Sequence, residues 1–467
     1  MGGEDSARSR ASSAPRSVLV LLAVVKLTLI GAGGFRTPAI YRALVTEAGT
    51  IRFDEVVLFD LDAERLRQIG AVLAGIDAEL GDRVAYRSSG DLRDALEGAD
   101  VVYCAIRVGG LEGRLLDERI AVDAGAIGQE TTGAGGIAFA LRTVPAVTAI
   151  AEQVARHAPD ALFINFTNPA GLVTEALQRV LGDRVVGICD APPDMCQRVA
   201  SALRMPVDQL WFDYFGINHL GWLRAVRHRE RDLLPGLLAD DDRLAGFEEG
   251  RLFGGEWLRA IGMLPNEYLY YYYFEHEALA SMQAGNLRAS VLLSQQSIFY
   301  EGNGDALARW KAANSAREAS YMAEAWSSRG VEMAEVSAAR EPGGYGGVAL
   351  QIVDAMVNAR PRLMILNTAN RSSMPFLDAQ AVVEVPCLVG PGGVVPVSVG
   401  DVPMEAKGLI LQVRASERAA IDAALSGSRR GALRSLALHP LVPSVDVAER
   451  ILDGYLAQHP ALAGRFA

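Results

Sequence analysis

Lys26-Leu-Thr-Leu-Ile-Gly-Ala-Gly-Gly34 joins a short apolar run to a glycine turn at the start of a predicted strand–helix unit. The apolar run is typical of a buried strand. Gly31, Gly33 and Gly34 let the backbone approach a bound pyrophosphate closely, and the next helix offers its free N–H groups to it. Arg36 stands where the full dinucleotide motif has its third glycine, so an ordinary strand-to-helix turn is an open alternative.

Asp60 ends the second apolar run, Val56–Phe59, and bears on the choice of dinucleotide. In sheets of this kind an acidic residue at this position accepts hydrogen bonds from the adenosine ribose and disfavours a 2′-phosphate. The turn and Asp60 together therefore predict NAD rather than NADP. The competing interpretation is that Asp60 caps a helix that begins near Asp62.

Five short apolar runs, separated by helix-length amphipathic segments, occupy the first 190 residues. This alternation predicts an α/β fold with a parallel sheet. We expect a Rossmann-type doubly wound domain over residues 26–196 and an α+β domain over residues 197–467, as in lactate and malate dehydrogenases. The predicted strands are Leu27–Ile30, Val56–Phe59, Val101–Cys104, Ala161–Asn165 and Val185–Cys189, and the predicted helices are Pro38–Ala48, Asp62–Leu80, Ile137–His157 and Pro169–Leu181.

Polar side chains stand just beyond the carboxyl ends of the predicted strands. They include Arg107, Asn168, Cys189 and Asp190. Doubly wound sheets bind their ligands beyond these strand ends. We therefore expect these side chains to share one site with the glycine turn.

The composition excludes some classes of function. The 467 residues carry a formal charge of −11, which argues against nucleic-acid binding because that needs a concentrated basic surface. Four cysteines in so long a chain are interpreted as thiols in a reducing compartment. Residues 1–25 are interpreted as a disordered extension, no later apolar run has the length of a membrane span, and a cytoplasmic location is expected.

Taken singly, the other candidate residues have ordinary structural interpretations. A cysteine such as Cys189 is commonly a small buried apolar residue, and a lone histidine such as His219 is commonly a hydrogen-bonded core residue. The aromatic run Tyr268-Leu-Tyr-Tyr-Tyr-Tyr-Phe274 is expected to form a packed or interfacial strand. Three charged residues are expected to be solvated: Arg114, Glu130 and Arg288.

Ordered motifs along nearly all of the chain after residue 25 change these interpretations. They are Ile106-Arg-Val-Gly-Gly110, Ile127-Gly-Gln-Glu-Thr-Thr-Gly133, Asn165-Phe-Thr-Asn-Pro-Ala-Gly171, Gly187-Ile-Cys-Asp190, Gly216-Ile-Asn-His-Leu-Gly-Trp222, Leu264-Pro-Asn-Glu-Tyr268, Val383-Glu-Val-Pro386 and Leu438-His-Pro-Leu-Val442. In this order they resemble the signature of glycoside hydrolase family 4. Such a series of motifs is far more specific than a lone glycine turn.

The resemblance implies a glycosidase that uses NAD and a divalent metal, usually manganese, where most glycosidases use two carboxylates. In this family NAD takes a hydride from carbon 3 of the sugar, a base removes the proton from carbon 2, and the glycosidic oxygen leaves by elimination. Water then adds to the double bond, and NADH returns the hydride. The metal stabilises the enediolate as a Lewis acid.

The same resemblance assigns roles position by position. Cys189 and His219 match the metal ligands, and Tyr268 matches the base that removes the carbon 2 proton. Asp190 matches the proton donor to the leaving group in α-type members, and Glu130 matches a position that raises the basicity of the tyrosine. The substrate-binding positions, where arginines suit a sugar 6-phosphate, are Arg114, Asn168 and Arg288.

This sequence departs from the family pattern at three places. Asp190 stands where many β-type members have Asn, although Arg107–Gly110 and Gly128–Gly133 look β-type. Asn266-Glu267 replaces a small or Cys-Pro pair before the tyrosine. Tyr270 replaces a common basic residue, which lowers the expected affinity for phosphate.

The sequence therefore predicts an NAD- and manganese-dependent 6-phospho-β-glucosidase that acts in the cytoplasm as a homodimer or homotetramer. The first alternative is an α-type enzyme, or one for unphosphorylated sugars, of the same family. A lactate- or malate-type dehydrogenase is the second, and it differs by accumulating NADH in proportion to substrate. An NAD-binding sensor is the third, and four intact candidate residues argue against it: Glu130, Cys189, His219 and Tyr268.

Overall fold

The structure is a computed structural model that describes residues 25–46, 51, 53–81, 84–285, 287–329 and 345–466. The predicted N-terminal extension therefore lies outside the described residues, apart from Val25 in the first strand. The strands are β1 (Val25–Ile30), β2 (Phe53–Phe59), β3 (Tyr86–Ser89), β4 (Val101–Cys104), β5 (Leu162–Asn165), β6 (Val185–Gly187), β7 (Trp211–Ile217), β8 (Leu220–His228), β9 (Arg231–Asp232), β10 (Leu264–Pro265), β11 (Arg362–Ala369), β12 (Val382–Gly390) and β13 (Gly393–Pro396).

The described residues also form helices along most of the chain. In the first 203 residues they are α1 (Thr37–Thr46), α2 (Ala63–Leu80), α3 (Leu92–Leu96), α4 (Gly110–Asp123), α5 (Gly133–His157), α6 (Ala170–Leu181) and α7 (Ala191–Leu203). The later helices are α8 (Leu234–Leu238), α9 (Asp241–Leu244), α10 (Glu248–Phe253), α11 (Gly255–Ile261), α12 (Tyr270–Tyr273), α13 (Glu275–Gln283), α14 (Arg288–Glu301), α15 (Ala306–Ala319), α16 (Ala323–Ser328), α17 (Tyr345–Val357), α18 (Met404–Ser426), α19 (Arg429–Leu438), α20 (Val445–Gln458) and α21 (Pro460–Arg465).

The first six strands form a parallel sheet in the order β3-β2-β1-β4-β5-β6. This order is that of a doubly wound sheet, so the predicted Rossmann-type α/β class is confirmed. The chain crosses over between β1 and β4, which are neighbours in the sheet. A crevice for a ligand opens at such a crossover, beyond the carboxyl ends of the strands.

Three strands from the second half of the chain extend the same sheet. β11 pairs with β6 in antiparallel fashion, and β12 and β13 follow it outward. The large sheet is therefore continuous across the predicted boundary at residues 196 and 197, and the division into two domains there stays a prediction. β7, β8, β9 and β10 form a separate antiparallel sheet.

Side chains on the large sheet alternate between two apolar cores, as the two-residue period of a strand requires. In β1, Leu27 and Leu29 enter one core and Ile30 enters the other. The second core also holds α5, α6 and the C-terminal helices α18–α21. α5 is long and apolar enough to cross a membrane by length and composition alone, but 72% of its most apolar window is buried inside the protein. It is therefore a core helix.

The structure corrects two sequence predictions about local elements. The run Tyr268–Phe274 is not a strand: it forms a 3-10 turn over Glu267–Leu269 and then the short helix α12. Asn266 causes this, because its side chain accepts a hydrogen bond from the backbone N–H of Tyr268 at 3.0 Å and so starts a helical turn. Strand β3 has no counterpart among the predicted strands, because its sequence, Tyr-Arg-Ser-Ser, lacks an apolar run.

Candidate active site

A cavity of about 200 Å³ lies at the carboxyl ends of the parallel strands, between the two halves of the chain. Its walls come from the glycine turn, the ends of β4, β5 and β6, the turn between β7 and β8, and the segments around α12 and α14. The predicted site residues that line it are Gly31, Gly34, Arg114, Glu130, Asn168, Cys189, Asp190, His219, Tyr268 and Arg288. The fold therefore brings together groups that are scattered through the sequence.

The glycine turn leaves no room for side chains. Gly31 has a φ of +86°, and a Cβ there would lie 2.5 Å from the carbonyl oxygen of Ala105. A Cβ on Gly34 would lie 2.9 Å from the carbonyl oxygen of Gly31. The backbone itself is thus exposed to the cavity, which is the arrangement that a dinucleotide pyrophosphate needs.

Asp60 lies behind this turn and does not line the cavity. Its Oδ2 accepts a hydrogen bond from the backbone N–H of Gly33 at 2.8 Å, and its Oδ1 accepts one from the N–H of Asp62 at 3.0 Å. The cap of α2 is Asp62, whose side chain accepts from the N–H of Arg65 at 3.0 Å. The interpretation of Asp60 as the helix cap is therefore wrong, and Asp60 supports the glycine turn instead.

His219 occupies the tight turn between β7 and β8 with a φ of +62°, a backbone conformation that few non-glycine residues adopt. Its Nδ1 lies 2.7 Å from Oγ1 of Thr131, and the Thr131 hydroxyl donates to Oε1 of Gln129 at 3.1 Å. Because the Thr131 hydroxyl proton is used in the bond to Gln129, Oγ1 of Thr131 accepts a hydrogen bond from Nδ1–H of His219. Nε2 of His219 then carries no proton and keeps its lone pair. Burial lowers the pKa of His219 to about 3, so the ring is neutral, as a metal ligand must be.

Cys189 lies just beyond the end of β6, and its thiol is buried beside the cavity. Its Sγ lies 3.9 Å from Oδ1 of Asp190. Burial, followed by the nearby carboxylates of Glu384 and Asp190, raises the pKa of the Cys189 thiol well above its usual range. A divalent cation would displace this proton, since the thiolate is the form that binds metals.

A thiolate and an imidazole are suitable ligands for a divalent transition metal. Among the residues that the structure describes, no group of three or more His, Cys, Asp or Glu side chains could hold a metal. A metal at Cys189 and His219 would therefore take its other ligands from water or substrate. Such a site leaves coordination positions open for chemistry.

Tyr268 lies directly against His219. The two rings stack with their centroids 3.6 Å apart and an interplanar angle of 3°. The Tyr268 hydroxyl lies 3.1 Å from the hydroxyl of Tyr321. Burial, followed by the nearby Glu267 carboxyl, raises the pKa of Tyr268 well above its usual range, so the phenol keeps its proton in the protein alone.

Glu130 forms the acidic centre of a buried charge network. It pairs with Arg107 and with Nη1 of Arg114, the latter at 2.6 Å, and Arg114 also pairs with Glu118 at 2.6 Å. Although burial opposes it, the guanidinium groups of Arg107 and Arg114 lower the pKa of Glu130 to about 2. The interpretation of Arg114 and Glu130 as solvated charges is wrong, because both are held inside the fold.

Arg288 is the first residue of α14 and lines the cavity. Its guanidinium donates to the carbonyl and to Oγ of Ser320, the latter at 2.6 Å, and to the carbonyl of Arg317 at 2.9 Å. Arg288 therefore anchors the turn that follows α15. Asn168 and Asp190 line the cavity just before α6 and α7.

Several residues of the site carry no signal that sequence reasoning used. Tyr321 and Arg317 line the cavity, but they lie outside the motifs that carry the family resemblance. Thr131 and Gln129 lie inside the motif Ile127–Gly133. Their place in that motif was the one indication in the sequence that they belong to the site and could contact His219. Arg107 stands in a quoted motif, yet its pairing with Glu130 is visible only in the structure.

The fold and the cavity define a dinucleotide-binding α/β protein with a thiol, an imidazole and a phenol gathered beside its glycine turn. Residues 26–205 match the family model described as "Family 4 glycosyl hydrolase", and residues 214–442 match the model of that family's C-terminal domain. The chain belongs to glycoside hydrolase family 4. The resemblance noted in the sequence is thereby confirmed.

Relatives of known description cover almost the whole chain. A Bacillus subtilis protein described as "Probable 6-phospho-beta-glucosidase" is 31% identical over 95% of this chain and 98% of its own length. The 6-phospho-β-glucosidase of Thermotoga maritima, solved with manganese, NAD⁺ and glucose 6-phosphate, is 26% identical, has a TM-score of 0.78 and covers 93% of this chain and 98% of its own.

A 6-phospho-α-glucosidase from gut microorganisms, solved with NAD and Mn²⁺, is similar to the same degree. It is 25% identical, has a TM-score of 0.78 and covers 93% of this chain and 98% of its own. Both anomeric specificities therefore occur among the relatives. The malate dehydrogenase of Plasmodium falciparum, at 12% identity and a TM-score of 0.50 over 86% of this chain and 98% of its own, shares the fold alone.

Proposed function

We propose that this chain is an NAD- and divalent-metal-dependent glycosidase that cleaves 6-phospho-β-glucosides. One observation carries the proposal: the glycine turn, the pair Cys189 and His219, and the Tyr268 hydroxyl all border one cavity. A dehydrogenase needs the glycine turn, but it has no use for a buried thiol beside an imidazole that stacks on a buried phenol. The family membership and the cofactors in the solved relatives support the same conclusion.

NAD is the proposed cofactor, and manganese is the proposed metal. The residues proposed to hold the dinucleotide are Gly31, Gly33, Gly34 and Asp60, where the turn has no space for side chains and Asp60 braces it. Cys189 and His219 are proposed to hold the metal. A thiolate is softer than manganese prefers, so we expect weak binding that depends on a reducing thiol in the buffer.

The proposed reaction divides its work between the bound groups and the chain. NAD supplies reversible hydride transfer at carbon 3, and the metal supplies Lewis acidity at the sugar oxygens. Tyr268 removes the proton from carbon 2, which the neighbouring ketone makes acidic. Asp190 donates a proton to the leaving oxygen. Glu130 carries the negative charge that makes Tyr268 more basic, and it also orients Arg114.

The proposed substrate is a sugar that carries a 6-phosphate. Arg114, Asn168 and Arg288 are the proposed binding residues, because two guanidinium groups and an amide border the same cavity. The β-anomer is proposed because the relative at 31% identity has that description. Asp190 favours an α-type enzyme as the second candidate, since it matches the proton donor of α-type members.

The cellular context is also a proposal. A phosphorylated sugar does not cross a membrane unaided, so we propose that the enzyme acts in the cytoplasm on imported glycoside phosphates. We also propose that the enzyme is a homodimer or a homotetramer, because members of this family commonly form these oligomers.

A panel of p-nitrophenyl glucosides tests this function. The panel contains the α- and β-anomers, each with and without a 6-phosphate, assayed with NAD, Mn²⁺ and dithiothreitol. We expect fastest release of p-nitrophenol from the 6-phospho-β-glucoside and none when NAD is left out. Preference for another member of the panel would overturn the substrate, and release that is independent of NAD would overturn the mechanism.

A further inference from the structure

Tyr321 lines the same cavity as Tyr268, and the hydroxyl oxygens of the two side chains lie 3.1 Å apart. The residues are separated by 53 positions in the chain, so the fold creates this contact. Tyr321 lies in the turn after α15 and lines the cavity together with Arg317 of that helix. Its hydroxyl is therefore a direct neighbour of the group that we propose as the base.

The turn that presents Tyr321 is firmly supported. The guanidinium of Arg288 donates to the carbonyl and Oγ of Ser320 and to the carbonyl of Arg317. Hydrogen bonds from a charged donor are stronger than those between neutral groups. Two of these hydrogen bonds are accepted by Ser320, which precedes Tyr321 in the chain. They therefore fix the backbone that carries the Tyr321 side chain relative to α14.

Glu267 gives the Tyr321 hydroxyl a second neighbour. Oε1 of Glu267 lies 3.4 Å from that hydroxyl, and the Glu267 side chain is buried. A hydroxyl donates one hydrogen bond and accepts up to two, so Tyr321 is able to donate to one of these neighbours and accept from the other. Glu267 also stands where this sequence departs from the family pattern, so the support is a feature of this chain.

We propose that Tyr321 is a positioning residue that aims the Tyr268 hydroxyl at carbon 2 of the sugar. This inference rests on the proposed function, because it needs Tyr268 to be the base. Asn266 holds the backbone of Tyr268, and stacking on His219 restricts the plane of its ring. The hydroxyl contact with Tyr321 supplies a restraint at the reacting atom itself.

The restraint matters because proton abstraction depends steeply on geometry. A base has to lie within hydrogen-bond reach of the proton it removes, and a displacement of about 1 Å costs a large factor in rate. Hydride transfer from carbon 3 involves the nicotinamide and not Tyr268. Loss of the Tyr321 hydroxyl should therefore slow the carbon 2 step and spare the carbon 3 step.

Single-turnover kinetics of Tyr321→Phe test the proposal. The holoenzyme with NAD and Mn²⁺ is mixed with p-nitrophenyl 6-phospho-β-glucoside, and NADH absorbance and p-nitrophenol release are recorded together. We expect an unchanged initial rate of NADH formation, and p-nitrophenol release slower by about tenfold, as for loss of one hydrogen bond to a reacting group. Tyr272→Phe is the matched control, since it also removes one tyrosine hydroxyl but Tyr272 does not line the cavity.

The outcomes separate the two claims. Equal slowing of NADH formation and p-nitrophenol release in Tyr321→Phe would overturn the positioning role, and so would wild-type kinetics. The thermal midpoint is recorded for both variants, and a loss of rate that follows a lowered midpoint would also overturn it. A wild-type enzyme that forms no NADH and cleaves no member of the panel would overturn the proposed function, and the role of Tyr321 with it.

Discussion

Cys189 and Tyr268 are both protonated in the protein alone, because burial and nearby carboxylates raise the pKa of each group. In the proposed mechanism each has to lose its proton, Cys189 to bind the metal and Tyr268 to act as the base. Positive charge from a bound metal favours both changes at once. Neither side chain is in the protonation state that its proposed role requires until a cation is bound nearby.

Tyr268→Phe tests the base at the scale of one atom. The variant keeps the ring that stacks on His219 and loses the hydroxyl. We expect kcat to fall by about a thousandfold, within the range that general bases contribute, while the Kd for NAD stays at the wild-type value. Steady-state kinetics and a fluorescence titration with NAD measure the two quantities. A variant with wild-type kcat would remove Tyr268 from the mechanism.

Cys189→Ala tests the metal site, with Cys196→Ala as its matched control. Both thiols are buried, but Cys196 lies on α7 and does not line the cavity. We expect Cys189→Ala to weaken Mn²⁺ binding by at least about tenfold, as measured by equilibrium dialysis, and Cys196→Ala to leave it unchanged. Because the metal displaces a proton from Cys189, wild-type affinity should rise with pH. Equal affinities in the two variants would contradict the assignment.

Single residues were predictable from the sequence where a motif carried them. Cys189, His219 and Tyr268 stand in such motifs, and the cavity contains all three. Tyr321 was not predictable, because it lies 53 positions from Tyr268 and in no motif. The pairing of Glu130 with Arg107 and Arg114 was missed for a related reason: a charged residue looks solvated until its partners are known.

At the scale of elements, the short turn before α12 carries a buried acid. Burial, partly offset by the charge of Arg198, raises the pKa of Glu267 to about 8. In the unfolded chain the same carboxyl titrates near 4.5. Unfolding therefore releases a proton between these two values, so this residue makes the folded state less stable as the pH rises from about 4.5 to about 8.

Glu267→Gln tests this dependence on pH. The amide keeps the size and the carbonyl oxygen of the acid but does not ionise. We expect the variant to gain about 3 kcal/mol of unfolding free energy over the wild type between pH 5 and pH 8, measured by urea denaturation. Glu97→Gln, at an exposed position, is the control and should show no such trend. Parallel curves for wild type and Glu267→Gln would contradict the burial of this acid in a protonated form.

Elements were predictable where a local pattern sufficed. The five predicted parallel strands are present because each is an apolar run between helices. The aromatic run was assigned to a strand in error, because tyrosine favours strands and the capping effect of Asn266 is a single side-chain hydrogen bond. β3 was missed because an edge strand needs few apolar residues.

At the scale of the whole molecule, the two halves of the chain share their core. β11–β13 complete the large sheet, and α18–α21 pack in the same apolar core as α5 and α6. These contacts join residues that are hundreds of positions apart, and no local pattern announces such pairings. The sequence therefore predicted a doubly wound parallel sheet, but not that β11, β12 and β13 extend it.

Removal of residues 404–467 tests the shared core. The truncation removes the C-terminal helices from the apolar core that they share with α5, which includes the buried Leu141 and Val144. We expect the truncated protein to aggregate or to lack cooperative thermal unfolding, because large exposed apolar surfaces associate with one another. A soluble truncated chain with a wild-type Tm would contradict the shared core.

A thiol, an imidazole and a phenol meet beside the proposed dinucleotide site. If they act as proposed, the hydrogen on carbon 2 of the sugar is exchanged with solvent during cleavage. The most direct test is cleavage of the aryl 6-phosphoglucoside in D₂O with NAD, Mn²⁺ and dithiothreitol, followed by NMR of the sugar product. We expect one deuterium at carbon 2 for each bond cleaved, because that proton is removed and replaced from solvent. A product that keeps its original hydrogen at carbon 2 would contradict the account.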